Sequence, residues 1–440
     1  MSKRVIRGAT VMALDGRRTL RQTDVLIEGD RIAAVGGVDA GDALVTHARG
    51  VLVPSFVQAY VRSFLALTDR YFVPDVNPWI FQRYQLDAWR EALDEDARYI
   101  QARAAYSRGV HAGAGTFGDF VGLDADTVVR AARELGVRVT VFVDGGRARD
   151  LRPEALLDRI LSAAEMMACR PLVSTGLFGG RAERTSMKML RQCARLAKSR
   201  GIPVAFHVGL FPDDRGGIAR LEQADALGPG CMLCYGRSSV FDSERNRKAV
   251  AATGSSVVVT PSADVLARAP MPPVAALLAE GINVAIGSDA GASRIGYDPF
   301  KELRLLKRGL GGSVELPASR ALEVGAAGGA RALNLEGGTI QVGRRADLML
   351  LDIEPQPNEE HEHLAARILE NAGPDTVRAM WIDGEVVILD GRFAKGNPPT
   401  EASEAAVRGR LCHAVDAKMQ RLSWFRRGAL DRRFRRYAGR

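Results

Sequence analysis

PPVAALLAEGINVAIGSDAG, residues 272–291, reads as one complete structural unit: an Ala/Leu-rich helical run that stops at Gly281, then a short apolar strand that ends on Ser288 and Asp289. A helix needs a residue tolerant of positive φ at its end, and a buried parallel strand shows as a short apolar run instead of an alternating one. The same rhythm runs upstream. Short β-branched or apolar runs start at Val51 (VLVPSFVQAYV), Val110 (VHAGAGTFGDF), Val137 (VRVTVFVD), Pro171 (PLVSTGLFG), Ile202 (IPVAFHVG), Gly230 (GCMLCYG), Ser255 (SSVVVTPS) and Ile282. Between them stand helical segments such as ADTVVRAARELG and SMKMLRQCARLAKSRG, each closed by a glycine. Eight strands alternating with helices predict an α/β fold, a (β/α)8 TIM barrel, with a doubly wound open sheet as the other arrangement that gives this alternation.

The two ends of the chain have another texture. DVLIEGDRIAAVGG near the start, and GGTIQVGRRADLMLLDI and VRAMWIDGEVVILDGRF near the end, are short strands joined by Gly-Asp or Asp-Gly turns. The expected organisation is a composite β-sandwich from residues 1–54 and 340–398, a barrel over 55–339, and a basic helical tail over 399–440.

Composition bounds the function classes. The 440 residues are 46% hydrophobic and 26% charged, ordinary for a soluble globular chain, and no run approaches the roughly 18 apolar residues of a membrane span. The N-terminus lacks the apolar core of a signal peptide, and five cysteines without framework spacing predict a reducing compartment, the cytoplasm. Of the formal charge of +9, residues 403–440 carry eleven Arg or Lys against three acidic residues, a net +8. An excess confined to a tail argues against nucleic acid as the partner and for a solvated helix face or a subunit contact.

Four passages carry a family resemblance: DVLIEGDRIAAVG (24–36), VLVPSFVQAYV (51–61), LLAEGINVAIGSDAGAS (277–293) and ALEVGAAGGARALNLEGGTIQVGRRADLMLLD (321–352). Over about residues 1–395 the chain resembles the amidohydrolase superfamily, in the branch that holds cytosine, guanine and S-adenosylhomocysteine deaminases and triazine chlorohydrolases. The resemblance implies a metal held by His-x-His on strand one, a His on strand five, a His on strand six and an Asp on strand eight. A Glu three residues beyond the strand-five His would move protons. The ion makes bound water a nucleophile near neutral pH.

This sequence departs from that pattern. Tyr60 and Arg62 stand at the His-x-His positions, Leu210 at the Glu position and Tyr235 at the strand-six His; His207 and Asp289 are kept. Two ligands are too few for a catalytic zinc, and a guanidinium at about 4 Å would repel each unit of a cation's charge by roughly 4 kcal/mol at an effective dielectric of about 20. The expectation is therefore no metal and no cofactor. Arg62 replaces the cation, either as the counter-ion of Asp289 or as the anchor of a substrate carboxylate or phosphate. Asp289 and His207 are the candidate catalytic acid/base pair, the alternative being remnants held by hydrogen bonds. Tyr60, Tyr235, Arg237 and Ser238 are candidate substrate contacts. A one-residue shift on strand six would instead bring Cys234 to His207 and Asp289 as a metal site, although buried core cysteines are the plainer reading of Cys231 and Cys234. The aromatics of residues 70–89 would cover the mouth, or merely pack on it. The reading is an enzyme working without the family metal on a small polar nitrogen-containing molecule, anionic if Arg62 is its anchor, by hydrolysis or related C–N chemistry, with the homodimer that the resemblance implies. A silent homologue serving as a binding or structural subunit, and a metal hydrolase with atypical ligands, are its rivals.

Overall fold

In a computed structural model the described residues are 2–16, 19–68, 92–122, 125–144, 155, 158, 172–211, 214–267, 269–289, 296–309 and 316–420. The first five strands, β1 (Lys3–Val11), β2 (Leu20–Glu28), β3 (Arg31–Gly36), β4 (Leu44–His47) and β5 (Val51–Pro54), belong to one sheet. Eight more follow: β6 (Phe56–Val61), β7 (Ala114–Gly122), β8 (Arg138–Asp144), β9 (Val173–Arg181), β10 (Val204–Val208), β11 (Cys231–Tyr235), β12 (Ser256–Val259) and β13 (Asn283–Ile286). These pair in sequence order, every neighbour parallel, as a TIM barrel requires. Each starts within one of the eight apolar runs, and β7 and β9 continue two residues past theirs, to Gly122 and Arg181.

The barrel closes where its first and last strands meet. Arg62 N donates to Asp289 O (2.8 Å) and Asp289 N to Tyr60 O (3.1 Å), a parallel bridge between Val61 and Asp289. The close approach needs Gly287, because a Cβ there would lie 2.4 Å from Tyr60 O. Inside, Val57, Ala59, Phe142, Met232, Val258 and Ala285 fill the lumen with mixed large and small side chains. The glycine stops appear as read: Gly201 (φ 64°) ends the helix Met187–Arg200, whose first turn is capped by the Ser186 side chain accepting from Met189 N.

Four late strands, β14 (Leu348–Leu351), β15 (Val377–Ile382), β16 (Glu385–Leu389) and β17 (Arg392–Phe393), return to the first sheet in the order β17-β16-β15-β14-β5-β1-β2-β3, with β4 beside β1. Both ends of the chain thus build one sheet, around a core that includes Trp381. The C-terminal helix Glu401–Gln420 packs through Val407 and Leu411 and through ion pairs of Glu404 with Arg108 and Arg410 with Asp94. Most of the tail's arginines, in 421–440, lie outside the described residues. Among the described residues no helix is long and apolar enough to cross a membrane.

A buried ion network ties the barrel to the second sheet. Arg138, at the start of β8 and 2% exposed, donates from Nε (3.0 Å) and Nη2 (3.1 Å) to Asp347 and also pairs with Asp383, which accepts in turn from Arg345 (2.9 Å). Burial disfavours the guanidinium's charge, but the two carboxylates outweigh it and hold its pKa above the usual value. Removing one member strands the others in low dielectric. Arg138→Ala should therefore cost about 3–5 kcal/mol of unfolding free energy in urea titration; a loss below about 1 kcal/mol would mean the pair is solvated in solution.

Candidate functional site

The first strand is irregular where the site begins. On β6, Gln58 faces Phe117 of β7, but Val61 already faces Asp119, so three steps on one strand match two on the other. This is a β-bulge at Ala59–Tyr60, and it lies over Gly118, where a Cβ would sit 2.4 Å from Ala59 O. Both Ala59 and Tyr60 consequently pack in the inner cluster, the Tyr60 ring 4.4 Å from that of Phe120. Arg62 follows as the strand turns into a short 3-10 turn, Ser63–Leu65. Its main chain is braced by Asp289 on one side and by Tyr297 Oη donating to Arg62 O (3.0 Å) on the other. Asp119, fully buried, accepts from Ser63 N (3.1 Å) and Tyr106 Oη (2.6 Å) and so fixes the turn. Burial pushes its pKa up to about 6 against these bonds.

The remaining members come from three strand ends. His207 lies on β10, Tyr235 ends β11 and Asp289 follows β13. Tyr235 (φ 74°) and Asp289 (φ 53°) are held in the left-handed region, at a cost of about 1–3 kcal/mol each, which marks a site whose surroundings over-determine it.

Tyr60, Arg62, His207, Tyr235 and Asp289 form one cluster, none more than 9% exposed. Arg62 Nε lies 3.2 Å from Asp289 Oδ1 and donates to Tyr60 Oη (2.9 Å). Arg62 Nη2 donates to Tyr60 Oη (2.5 Å) and Tyr235 Oη (3.2 Å), and Tyr235 Oη donates to Asp289 Oδ2 (2.8 Å). Asp289 Oδ1 has no hydrogen bond, because the Nε hydrogen is directed at Tyr60. Arg62 Nη1 takes part in none of the described hydrogen bonds.

Counting lone pairs places a proton. Both lone pairs of Tyr60 Oη receive N–H from Arg62, so its O–H must donate, and the nearer acceptor is His207 Nε2 at 2.9 Å, ahead of Tyr235 Oη at 3.3 Å. A neutral His207 then carries its hydrogen on Nδ1, away from Tyr60. Burial, and then the fields of Arg62, Arg181 and Arg237, hold its pKa well below the usual value. Burial likewise raises the Tyr60 and Tyr235 phenols, keeping both neutral. Burial opposes the charge of Arg62 too, but Asp289 and the tyrosines outweigh it and the guanidinium stays charged.

Arg237 lies at the edge of this cluster. Its Nε donates to Asp264 Oδ1 (2.9 Å), its Nη1 to Leu210 O, and its guanidinium stands 5.4 Å from the Tyr235 ring centre. Asp264 is completely buried, and burial pushes its pKa up to about 6 although Arg237 opposes the shift. Ser238 opens the short helix Ser238–Phe241; its side chain, like residues 70–89, lies outside the described residues. Leu210 is buried. Cys234 faces His207 in register across β10 and β11, and burial raises its thiol pKa well above the usual value. Sequence reading missed Asp119, Asp264, Tyr106 and Tyr297, the second layer that holds the first. Only Asp119, a carboxylate inside the apolar run TFGDF, carried a signal.

The depressed His207 pKa fixes the sign of a pH effect. The folded state resists protonating His207 while the unfolded chain binds that proton near pH 6.5, so this group's contribution is level above that pH and stability falls as pH drops below it. In proton NMR the His207 ring signals should not titrate between about pH 8 and 6; a midpoint near 6.5 would contradict the assignment.

Comparison with known proteins places the chain in a family. The model of the amidohydrolase family matches residues 76–387. A 5-methylthioadenosine/S-adenosylhomocysteine deaminase of Halobacterium salinarum is 30% identical over 416 residues, covering 89% of this chain and 94% of that one. In structure, the chain is similar to an adenosine deaminase from Xanthomonas campestris with bound zinc (TM-score 0.80, 19% identity, 94% of this chain and 99% of that one). It is also similar to atrazine chlorohydrolase from Arthrobacter aurescens complexed with zinc (TM-score 0.79, 19% identity, 93% and 100%). At these identities the structural likeness is one of fold, and the family follows from the sequence match: the chain belongs to the amidohydrolase family.

Proposed function

We propose that this protein is an amidohydrolase-family enzyme that works without the family's metal, on a small polar nitrogen-containing substrate. The observation that carries the reading is the Arg62 guanidinium, 3.2 Å from Asp289 Oδ1 and wedged against Tyr60. The residues present do not fit a catalytic zinc: of the five ligand positions only His207 and Asp289 keep a ligand-type side chain, and a fixed cation adjoins the carboxylate. Among the described residues no group of three His, Cys, Asp or Glu is arranged to hold an ion.

In this reading Arg62, Tyr60 and Tyr235 orient the substrate, with Arg237 and Ser238 at the rim. Neutral His207 presents Nδ1–H and delivers that proton to a leaving or accepting nitrogen while its Nε2 takes the Tyr60 hydroxyl proton, the phenolate so formed being held by Arg62. Asp289 takes the Tyr235 hydrogen bond and keeps the tyrosine pair aligned. The deaminase relatives support C–N hydrolysis or related C–N chemistry on a nucleoside-like molecule. A second reading, a silent homologue that binds ligands or supports a partner subunit, is favoured by one specific feature: the five side chains satisfy one another and are almost wholly covered.

Two measurements test the proposal together. Elemental analysis of the purified protein should find only substoichiometric metal, and turnover of adenosine-type nucleosides should survive a chelator. Arg62→Ala is expected to lower kcat/KM by about 10²–10³. Stoichiometric zinc or iron that is lost on Asp289→Ala would overturn metal independence. Absence of turnover across nucleosides and related amides, with a partner chain co-purifying, would favour the silent homologue.

A further inference from the structure

Strand β11 leaves the barrel through a strained turn. Tyr235 (φ 74°) and Gly236 (φ 53°) are left-handed in succession, just before the short helix Ser238–Phe241. Glycine is required at the second position, where a Cβ would lie 2.7 Å from the Phe241 side chain and 3.0 Å from that of Val257. At the first stands a tyrosine, for which this conformation persists only where the surroundings over-determine it. The main chain ties the turn to β10, Gly236 N donating to Val208 O (3.2 Å).

The side chain of Arg237 supplies two further ties. Its Nε donates to Asp264 Oδ1 (2.9 Å), on the helix Pro261–Leu266 after β12, and its Nη1 donates to Leu210 O, just past the end of β10. Nε and Nη1 donate on different sides of one rigid planar group, so a single side chain staples the end of β11 to both of its neighbours. The guanidinium stands 5.4 Å from the Tyr235 ring centre, beside the residue it constrains. Asp264 has a fully enclosed side chain, and Arg237 is its one ion-pair partner among the described residues. Letting the arginine go would leave that carboxylate charged, buried and unpaired, so Asp264 keeps Arg237 in this geometry.

What the turn fixes is a phenol. Tyr235 Oη donates to Asp289 Oδ2 (2.8 Å) and accepts from Arg62 Nη2 (3.2 Å). Relaxing Tyr235 to a negative φ would redirect its Cβ and carry the ring away from both. We propose that Asp264 and Arg237 are positioning residues of the site: their staple holds the left-handed turn at Tyr235 and thereby keeps its hydroxyl on Asp289. The inference rests on the functional reading above only in giving Tyr235 a part in turnover. Arg237 Nη2 takes part in none of the described hydrogen bonds and stays available to the rim.

The test is carbon-13 NMR of the full chain, without ligand, labelled at tyrosine Cζ, whose shift reports hydrogen bonding at the hydroxyl. Of the eight tyrosine signals, the one lost in Tyr235→Phe belongs to Tyr235. Asp264→Asn removes the charge and keeps an acceptor; Arg237→Lys keeps the charge and loses the two-sided fork. Each should move the Tyr235 signal toward that of a free phenol and lower kcat/KM on nucleosides by about tenfold. The double variant Asp264→Asn, Arg237→Gln strands no charge, so it answers where a single variant fails to fold, and should move the signal likewise. Arg245→Gln, in an exposed ion pair with Glu222, should change neither signal nor rate. A lower melting temperature with the signal in place would mean a role in stability alone, and a raised KM with the signal in place a substrate contact alone; either overturns the proposal. So does a crystal structure of the unaltered chain with Tyr235 at negative φ while Arg237 remains on Asp264. An unmoved signal with metal-free turnover intact removes this inference alone, and a moved signal in a chain that turns over no nucleoside removes the functional reading alone.

Discussion

The ion pair of Arg62 and Asp289 sits on the seam where the barrel closes. The same two residues share the backbone bridge between the first and last strands and the side-chain contact at 3.2 Å. Taking either charge out of water costs several kcal/mol, which pairing and hydrogen bonds must offset. Here Tyr60 and Tyr235 supply those bonds. The main-chain closure of the barrel and the buried charge pair at its mouth therefore share the same two residues, and neither side chain can be altered without stranding the other.

From that pair the protonation of the whole cluster follows. A fixed cation on Tyr60 Oη consumes its lone pairs and forces its hydroxyl toward His207, which sets the tautomer. Desolvation keeps both phenols neutral, and the same burial with nearby guanidiniums keeps the imidazole neutral. A metal ion at this place would supply a Lewis acid and a reactive water. The arginine supplies a permanent charge and directed N–H groups, which hold the two phenol oxygens and the carboxylate in place.

Much of this architecture was legible in the sequence because buried parallel strands and glycine-stopped helices leave periodic traces. The eight apolar runs and the Asp-Gly hairpins at the chain ends mapped onto the two sheets. Tyr60, Arg62, His207, Tyr235 and Asp289 could be named because family spacing puts them at strand ends, and they meet in one cluster. What could not be read was anything set by a one-residue slip. The bulge at Ala59–Tyr60 and the one at Gly179–Gly180 decide which way Tyr60 and Arg181 point, and register has no signature in a run apolar throughout. The pairing of Arg237 with Asp264 was hidden for another reason: the acid sits on the helix Pro261–Leu266 after the neighbouring strand, a contact made only by the fold.

The most direct measurement is an anomalous-diffraction map from crystals of the full chain, grown with zinc present and recorded at the zinc absorption edge. The account predicts guanidinium density between Tyr60 and Asp289 and no anomalous peak among Arg62, His207 and Asp289. A peak bonded to His207 and Asp289, with the Arg62 side chain turned away, would contradict it.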